Sequence, residues 1–270
     1  GLTAREQMNG PWQLPMADVA ITLAGFDTYA GEAMAVGERT PLALLNAAAS
    51  ARMAVGEAIT NLCAAPLISL DTVKLSANWM AACGHDGEDA LLYDAVRAVG
   101  MELCPQLDIS IPVGKDSLSM QAQWQAGGRT EKSVSPVSLV ISAFAPVADA
   151  RQQLTPLLER EGESELWLIG LGAGKQRLGG SILAQTQADH SALPAFAGEV
   201  PDLDDPQRLR GFFELIRDAR QAGLLLAYHD RSDGGAFAAL CEMSFASRLG
   251  LDIVLDAWGD DPFRSLFNEE

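Results

Sequence analysis

Basic residues are scarce in this sequence. Its 270 residues include 19 Lys and Arg against 36 Asp and Glu, which gives a formal net charge of −17 at pH 7. Nucleic acids and anionic membrane surfaces attract basic patches, so this balance argues against either as a partner. If so acidic a chain binds a phosphorylated ligand, we expect a divalent cation to bridge the two.

Cysteine is also rare, and long apolar runs are missing. The cysteines lie far apart without a C-x-x-C pair, which argues against a zinc site and against a disulfide framework: Cys63, Cys83, Cys104 and Cys241. Such use of cysteine is typical of a reducing, cytoplasmic setting. Gly, Pro or charge interrupts each apolar run before membrane-spanning length, and the first residues lack the basic and apolar parts of a signal peptide.

The remaining composition is that of an ordinary globular protein, with 48% hydrophobic and 20% charged residues. Its length suits two domains, and the polar region 148–162, which contains Pro156, is the best boundary. We therefore predict one domain over residues 1–150 and a second over residues 151–270. The chain starts without Met and stops at "LFNEE" with no closing element, so we expect a piece of a longer protein.

Short apolar strands and helices alternate in both halves, which predicts an α+β or α/β fold. In the first half we predict a helix over residues 40–65, with Thr40 as its cap and Pro41 at its first position, and a second helical stretch over 87–104. The predicted strands of this half are residues 16–26, 72–80, 108–124 and 135–147.

In the second half the pattern predicts strands over residues 164–172 and 224–228, a helix opening at 179, a loop over 195–206 and an amphipathic helix over 206–223. A further helix is expected from Ala236, and an apolar segment follows at 249–257.

The joint "HDRSDGG", residues 229–235, carries more polar groups than a helix start needs. Asp and Ser often do no more than cap a helix, whereas glycine-rich strand-to-helix joints also bind phosphates. An EF-hand loop starting at Asp230 fails, because its twelfth position is Cys241 rather than an acid. Capping and ligand binding therefore both remain open.

Three further polar residues suit a hard cation. Glu57 and Asn61 stand four residues apart, so they share one helix face, either as a solvated pair or as oxygen ligands of Mg²⁺. Asp18 interrupts an apolar segment, either as a sheet-edge acid or because it is paired or bound to metal. With Asp230 these residues form an oxygen set that suits Mg²⁺ better than zinc.

Other motifs are weaker. "IPVGKDSLSM" lacks the P-loop pattern, because Asp116 separates Lys115 from the following serine, so a turn pair and a ligand-facing role stay open. The glycine-rich passage 170–181 is not specific by itself. His85 and His229 could serve acid–base chemistry, although a lone histidine is more often structural.

Several segments in order resemble the large, single-chain phosphoribosylformylglycinamidine synthase family of purine biosynthesis: "PMADVAIT", "GERTPLALLNAAASARMAVGEAITNL", "KLSANWM", "IPVGKDSLSM", "SPVSLVISAFA", "LGGS", "HDRSDGG" and "LFNEE". The resemblance covers essentially the whole chain. It implies the aminoimidazole ribonucleotide synthetase-like fold, also found in selenophosphate synthetase and thiamine monophosphate kinase. The chain would be the second of two such units, related by pseudo-twofold symmetry.

The resemblance also implies a ligase that uses ATP and glutamine-derived ammonia to amidate formylglycinamide ribonucleotide. It places Mg²⁺ on Asp18, Glu57, Asn61 and Asp230, and nucleotide contacts on Ala17 and Ser232. This unit would hold an auxiliary ADP, and no catalytic residue falls within it. Partners would be the first unit, the glutaminase domain and, for the chain alone, a second copy. The alternatives are a stand-alone synthetase or kinase of this fold and a non-catalytic, nucleotide-stabilised scaffold.

Overall fold

The computed structural model describes residues 2–5, 8–9, 12–186 and 199–270. In the first half a six-stranded sheet has the order β1-β4-β5-β10-β6-β7, and two-stranded pairs β2-β3 and β8-β9 accompany it. Within the sheet only β6 and β7 run parallel. The strands are β1 Thr3–Arg5, β2 Met8–Asn9, β3 Leu14–Pro15, β4 Ala20–Leu23, β5 Gly31–Glu38, β6 Lys74–Met80, β7 Ser110–Ser117, β8 Gln121–Ala126, β9 Arg129–Val134 and β10 Ser138–Val147.

Helices cover one face of the sheet and make up the regular structure described in the second half. They are α1 Ala47–Leu62, α2 Glu88–Arg97, α3 Cys104–Leu107, α4 Ile182–Thr186, α5 Pro206–Gln221, α6 Gly235–Ser247 and α7 Pro262–Phe267. A π-helical segment, Ala98–Leu103, joins α2 to α3. The mixed α/β class predicted from the sequence is confirmed. No helix in the described part of the chain is long and apolar enough to cross a membrane.

The core lies where α1 packs against the sheet. Strand β10 pairs with β5 on one side and β6 on the other, and its side chains alternate between buried and partly buried. Gly37 allows α1 to lie directly on β5: a Cβ added there would stand 2.2 Å from the carbonyl oxygen of Ala54 and 2.4 Å from the nitrogen of Ala58. The missing side chain of Gly37 on β5 thus sets the distance between helix and sheet.

The helix predicted over residues 40–65 starts later than expected. A 3₁₀ turn, Thr40–Leu44, contains Pro41 but ends before α1 begins. The cap of α1 is Asn46, whose side-chain oxygen accepts a hydrogen bond from the backbone nitrogen of Ala49 at 3.0 Å. Thr40 is therefore not the cap of the long helix, because the nearer Asn46 supplies a better-placed acceptor.

Strand predictions hold only where a neighbour supplies hydrogen bonds. The predicted strand 16–26 shortens to β4, so Asp18 lies just before the strand and not inside it. In the described residues from 148 onward the structure has no strand, which makes the predictions at 164–172 and 224–228 wrong. Those segments have no strand alongside, and several of their apolar side chains are exposed, including Trp167, Leu224 and Leu226. The predicted loop 195–206 lies partly outside the described residues, at 195–198.

The two halves contact each other through α5 and the chain before it. The guanidinium of Arg52 on α1 donates two hydrogen bonds to the carboxylate of Asp202, at 2.8 and 2.6 Å. Near the other end of α5, Arg220 donates to the backbone carbonyls of Cys63 and Ala65 just after α1. These contacts hold the second half against both the first turns and the C-terminal end of α1. The division at residue 150 stays a prediction.

Candidate functional site

A cavity of about 440 Å³ lies between the start of β4, the strand β5 and the segment that leads into α6. The first half contributes main chain and side chains that precede β4, together with one residue of α1. The second half contributes the "HDRSDGG" joint and Glu242 of α6. Polar and sequence-predicted residues that line the cavity are Ala17, Asp18, Asn61, His229, Asp230, Ser232 and Glu242.

Asp18 is the most buried acid of the cavity, with its side chain 1% exposed. Its Oδ1 lies 2.7 Å from Nδ1 of His229 and accepts a long hydrogen bond, 3.4 Å, from the backbone nitrogen of Asp230. Its Oδ2 is buried and has no hydrogen-bond partner among the described residues. A buried carboxylate oxygen without a donor is costly, which points to a positively charged ligand.

His229 joins two carboxylates. Its Nδ1 faces Asp18, and its Nε2 lies 2.7 Å from Oε2 of Glu242. Burial lowers the pKa of the imidazole, but the hydrogen bonds to Asp18 and Glu242 outweigh it and raise the pKa of His229 to about 10. The ring is therefore a cation at neutral pH, and both of its nitrogens donate.

Asp230 is buried beside Asp18. Burial, followed by the negative charge of Asp18, raises the pKa of Asp230 well above its ordinary value. Ligand atoms of Asp18, His229 and Asp230 lie within 4.8 Å of one another. Two buried carboxylates at this spacing repel each other, so a divalent cation would be favourable here, and the oxygen donors fit Mg²⁺.

Glu57 and Asn61 stand one turn apart on α1, and both are anchored to β5. Oε2 of Glu57 accepts a hydrogen bond from the backbone nitrogen of Glu38 at 2.6 Å, and Nδ2 of Asn61 donates to the carbonyl of Val36 at 2.9 Å. The amide of Asn61 thus keeps its own carbonyl oxygen for another partner. Burial raises the pKa of Glu57 to about 7.

The structure brings three of the four predicted metal ligands to one cavity, and the fourth lines a neighbouring cavity. Asp18, Asn61 and Asp230 line the 440 Å³ cavity, whereas Glu57 lines an adjoining cavity of about 70 Å³. Ser232 lines both, so the two cavities meet at the "HDRSDGG" joint. The charge of Glu57 also raises the pKa of Asp230, which agrees with their proximity.

The glycine pair of the joint has a structural reason. Gly234 and Gly235 have φ of +84° and +66°, which disfavours other residues. A Cβ on Gly235 would also lie 2.6 Å from the carbonyl oxygen of Leu266, so α6 packs closely on α7 there. No side chain of the joint caps α6, which has Gly234 at its N-cap. Capping by Asp or Ser is therefore not what the motif does.

The carboxylate of Glu269, which is far along the chain, caps the start of α6 instead. Its Oε1 accepts hydrogen bonds from the backbone nitrogens of Gly234 at 2.8 Å and Ile182 at 2.9 Å. Its Oε2 pairs at 2.5 Å with Arg39, which is 4% exposed and also reaches Asp233 at 3.0 Å. No local sequence pattern indicates this network, because its members are up to 230 residues apart.

The weaker sequence candidates lie elsewhere. Lys115 and Asp116 are on β7, and neither they nor His85 are among the residues that line these two cavities. Gly180, with φ of +74°, lies against the backbone of Leu42. A Cβ added to Gly180 would be 3.1 Å from the Cα of Leu42. The 179–180 turn is thus a packing contact with the 3₁₀ turn before α1.

Solved structures share this fold along nearly the whole chain. T. maritima PurL complexed with FGAR aligns with a TM-score of 0.63 and 14% identity, over 97% of this chain and 39% of that one. PurLQS from Thermotoga maritima aligns with a TM-score of 0.60 and 16% identity, over 98% and 38%. AaThiL complexed with AMPPCP and TMP aligns with a TM-score of 0.50 and 14% identity, over 94% and 76%.

These alignments show the fold, and the predicted synthetase-like architecture is confirmed. The chain spans about two fifths of the length of the two T. maritima chains. Family models match both halves: residues 163–270 match the C-terminal domain of AIR synthase related proteins, and residues 1–146 match the FGAR-AT PurM_N-like domain. The family predicted from the sequence motifs is therefore confirmed, and this chain belongs to the FGAR-AT PurM_N-like domain family.

Proposed function

We propose that this chain is the second synthetase-like unit of a phosphoribosylformylglycinamidine synthase and that its 440 Å³ cavity holds a magnesium-bound ADP or ATP. The enzyme as a whole would amidate formylglycinamide ribonucleotide with glutamine-derived ammonia. The observation that carries the proposal is the convergence of Asp18 and Asp230 on one cavity, with Oδ2 of Asp18 buried and lacking a hydrogen-bond partner in the described chain.

In this proposal Asp18, Glu57, Asn61 and Asp230 hold Mg²⁺, which when bound would neutralise the phosphate oxygens of the nucleotide. The chain around them is suited to that task. The two α1 residues are fixed on β5 by backbone hydrogen bonds, so their oxygens are oriented before a ligand arrives. Ala17 and Ser232 line the same cavity and would contact the nucleotide itself.

The walls of the cavity suit a nucleotide as well as a cation. Met16, Met34 and Val36 line it together with the acids, so it offers apolar surface for a base as well as oxygen ligands for metal-bound phosphates. We assign no catalytic residue to this chain and propose that its nucleotide has a structural role. All four cysteines are free, which suits the reducing cytoplasm that we propose as its setting.

A stand-alone synthetase or kinase of the same fold is the second candidate. It is favoured by the alignment with AaThiL, of which this chain covers 76%. A free-standing enzyme would turn over ATP by itself, whereas the proposed unit would keep its nucleotide unchanged. Phosphate release from ATP by the purified chain therefore separates the two functions.

The proposal is tested by measuring what the purified chain carries. The chain is denatured and filtered, the supernatant is run by anion-exchange chromatography, and magnesium is assayed in the same sample. We expect ADP and Mg²⁺ close to one per chain, and loss of both in Asp18→Asn and Asp230→Asn. Asp94→Asn, an exposed site on α2, is the matched control. If folded wild-type chain carries no nucleotide and binds no added MgADP, the proposed function is wrong.

A further inference from the structure

The carboxylate of Asp18 depends on few contacts for its orientation. Among the described residues, its hydrogen-bond donors are Nδ1 of His229, at 2.7 Å, and the backbone nitrogen of Asp230, at 3.4 Å. The second distance is at the weak end of the range for a hydrogen bond. The imidazole is therefore the main group that decides how the carboxylate is turned and which oxygen is left without a donor.

The imidazole is itself fixed from the far side. Glu242, on α6, accepts from Nε2 at 2.7 Å, and its side chain is 45% exposed, while that of His229 is 7% exposed. Because both nitrogens are engaged, the ring cannot flip or tilt without losing one of two short charged hydrogen bonds. Two hydrogen bonds thus connect the protein surface at Glu242, through His229, to the buried carboxylate of Asp18.

The same geometry argues that His229 is not a metal ligand. A histidine binds a metal through the lone pair of a deprotonated nitrogen, and here both nitrogens face carboxylate oxygens. Of the three side chains that lie within 4.8 Å of one another, the two acids remain as cation ligands. His229 can act on a bound cation only through Asp18.

We propose that His229 is a positioning residue, which with Glu242 fixes the carboxylate of Asp18 so that Oδ2 is kept for the metal of the nucleotide site. His229 and Glu242 come from the second half, and Asp18 comes from the first. The metal site then forms only when the two halves are docked. This inference rests on the proposed function, because it concerns the residue that holds one of the proposed magnesium ligands.

The test measures Mn²⁺ affinity by electron paramagnetic resonance, with Mn²⁺ standing in for Mg²⁺, in the 270-residue chain with and without ADP. Loss of a group that orients a metal ligand typically costs about 10- to 100-fold in metal affinity, and we expect that loss in His229→Leu. His229→Asn places an amide N–H near the position of Nδ1 and should recover affinity to within about threefold of wild type. His229→Gln places its amide near Nε2 and should not.

The two amide variants distinguish positioning from packing, because both are polar, uncharged and close in size to histidine. Equal Mn²⁺ affinity in His229→Asn and His229→Gln would overturn the inference, as would a His229→Leu chain within threefold of wild type. If the variants at His229 do not fold, Glu242→Gln carries the test, since Glu242 is partly exposed. It should weaken Mn²⁺ binding several-fold, while Glu214→Gln, on the exposed face of α5, should not.

Failure of the inference and failure of the proposed function give different results. A wild-type chain that binds Mn²⁺ and ADP, with Glu242→Gln and His229→Leu equal to it, overturns the positioning role alone. A folded wild-type chain that binds neither Mn²⁺ nor ADP overturns both. Weakened Mn²⁺ binding in Glu242→Gln, together with recovery in His229→Asn alone, supports both.

Discussion

Replacing Gly37 by alanine should move α1 off the sheet and disable the site that it carries. The new Cβ would lie 2.2 Å from the carbonyl oxygen of Ala54 and 2.4 Å from the nitrogen of Ala58, both backbone atoms that no side-chain rotation can clear. Ordinary contact needs more than 3 Å, so helix and strand must separate by about 1 Å.

That separation acts on the hydrogen bonds that anchor Glu57 and Asn61 to β5. They are now 2.6 and 2.9 Å long, and a shift of about 1 Å takes both beyond the useful range. Overpacking of a core costs roughly 1–3 kcal/mol and each lost hydrogen bond about 1 kcal/mol. We therefore expect a loss of about 3–5 kcal/mol in the free energy of unfolding and a loss of bound nucleotide.

The assay is urea unfolding followed by circular dichroism, with nucleotide content measured on the same preparations. Gly211→Ala is the matched control, because a Cβ on Gly211 in the middle of α5 meets nothing within 4 Å. That change should stabilise the chain by up to about 1 kcal/mol through helix propensity. A Gly37→Ala chain that unfolds within 1 kcal/mol of wild type and still carries a full complement of nucleotide would refute this close packing of α1 on β5.

Three further predictions follow from the buried charged and thiol groups. Arg39→Met should cost about 3–5 kcal/mol in urea unfolding by leaving Glu269 buried without its guanidinium, and the double variant Arg39→Met, Glu269→Gln should recover part of that loss. Burial raises the pKa of Glu57 from 4.5 to about 7, so the folded chain holds this proton where the unfolded chain releases it. In EDTA, the free energy of unfolding should fall as pH rises from about 4.5 to 7, and this pH dependence should be weaker in Glu57→Gln. An equal pH dependence in the two chains would contradict the raised pKa of Glu57. Burial also raises the pKa of Cys63 to about 12 and that of Cys104 to about 11, so an aromatic disulfide reagent at pH 8 should label the other two cysteines first; rapid native labelling of all four would contradict the packing.

Local interactions explain what could be predicted. The long helix was predicted because its hydrogen bonds join residues four apart and its sequence is rich in helix formers, although a nearer cap at Asn46 moved its start. The amphipathic helix α5 falls at 206–221, inside the range predicted for it. Strands such as β6 and β10 were found where each has partners on both sides.

Non-local interactions explain the failures. The segments at 164–172 and 224–228 have the apolar runs of buried strands, but a strand requires a neighbour to accept its backbone hydrogen bonds, and no local pattern reveals whether one is present. For the same reason the sequence left capping by the "HDRSDGG" joint open as an alternative to ligand binding. In the structure Glu269 accepts from the nitrogen of Gly234 instead, from 35 residues away.

Local and non-local interactions also separate the features of the candidate site that could be predicted from those that could not. The sequence by itself determined the chemical types at the site: an oxygen ligand set without cysteine, a helix face that presents Glu57 beside Asn61, and motifs that name the family. Only the tertiary structure decided that Asp18 and Asp230 are buried side by side and that His229 lies between Asp18 and Glu242. Residue types follow from the chain itself, whereas burial, charge pairing and orientation arise only when segments about 200 residues apart exclude water together.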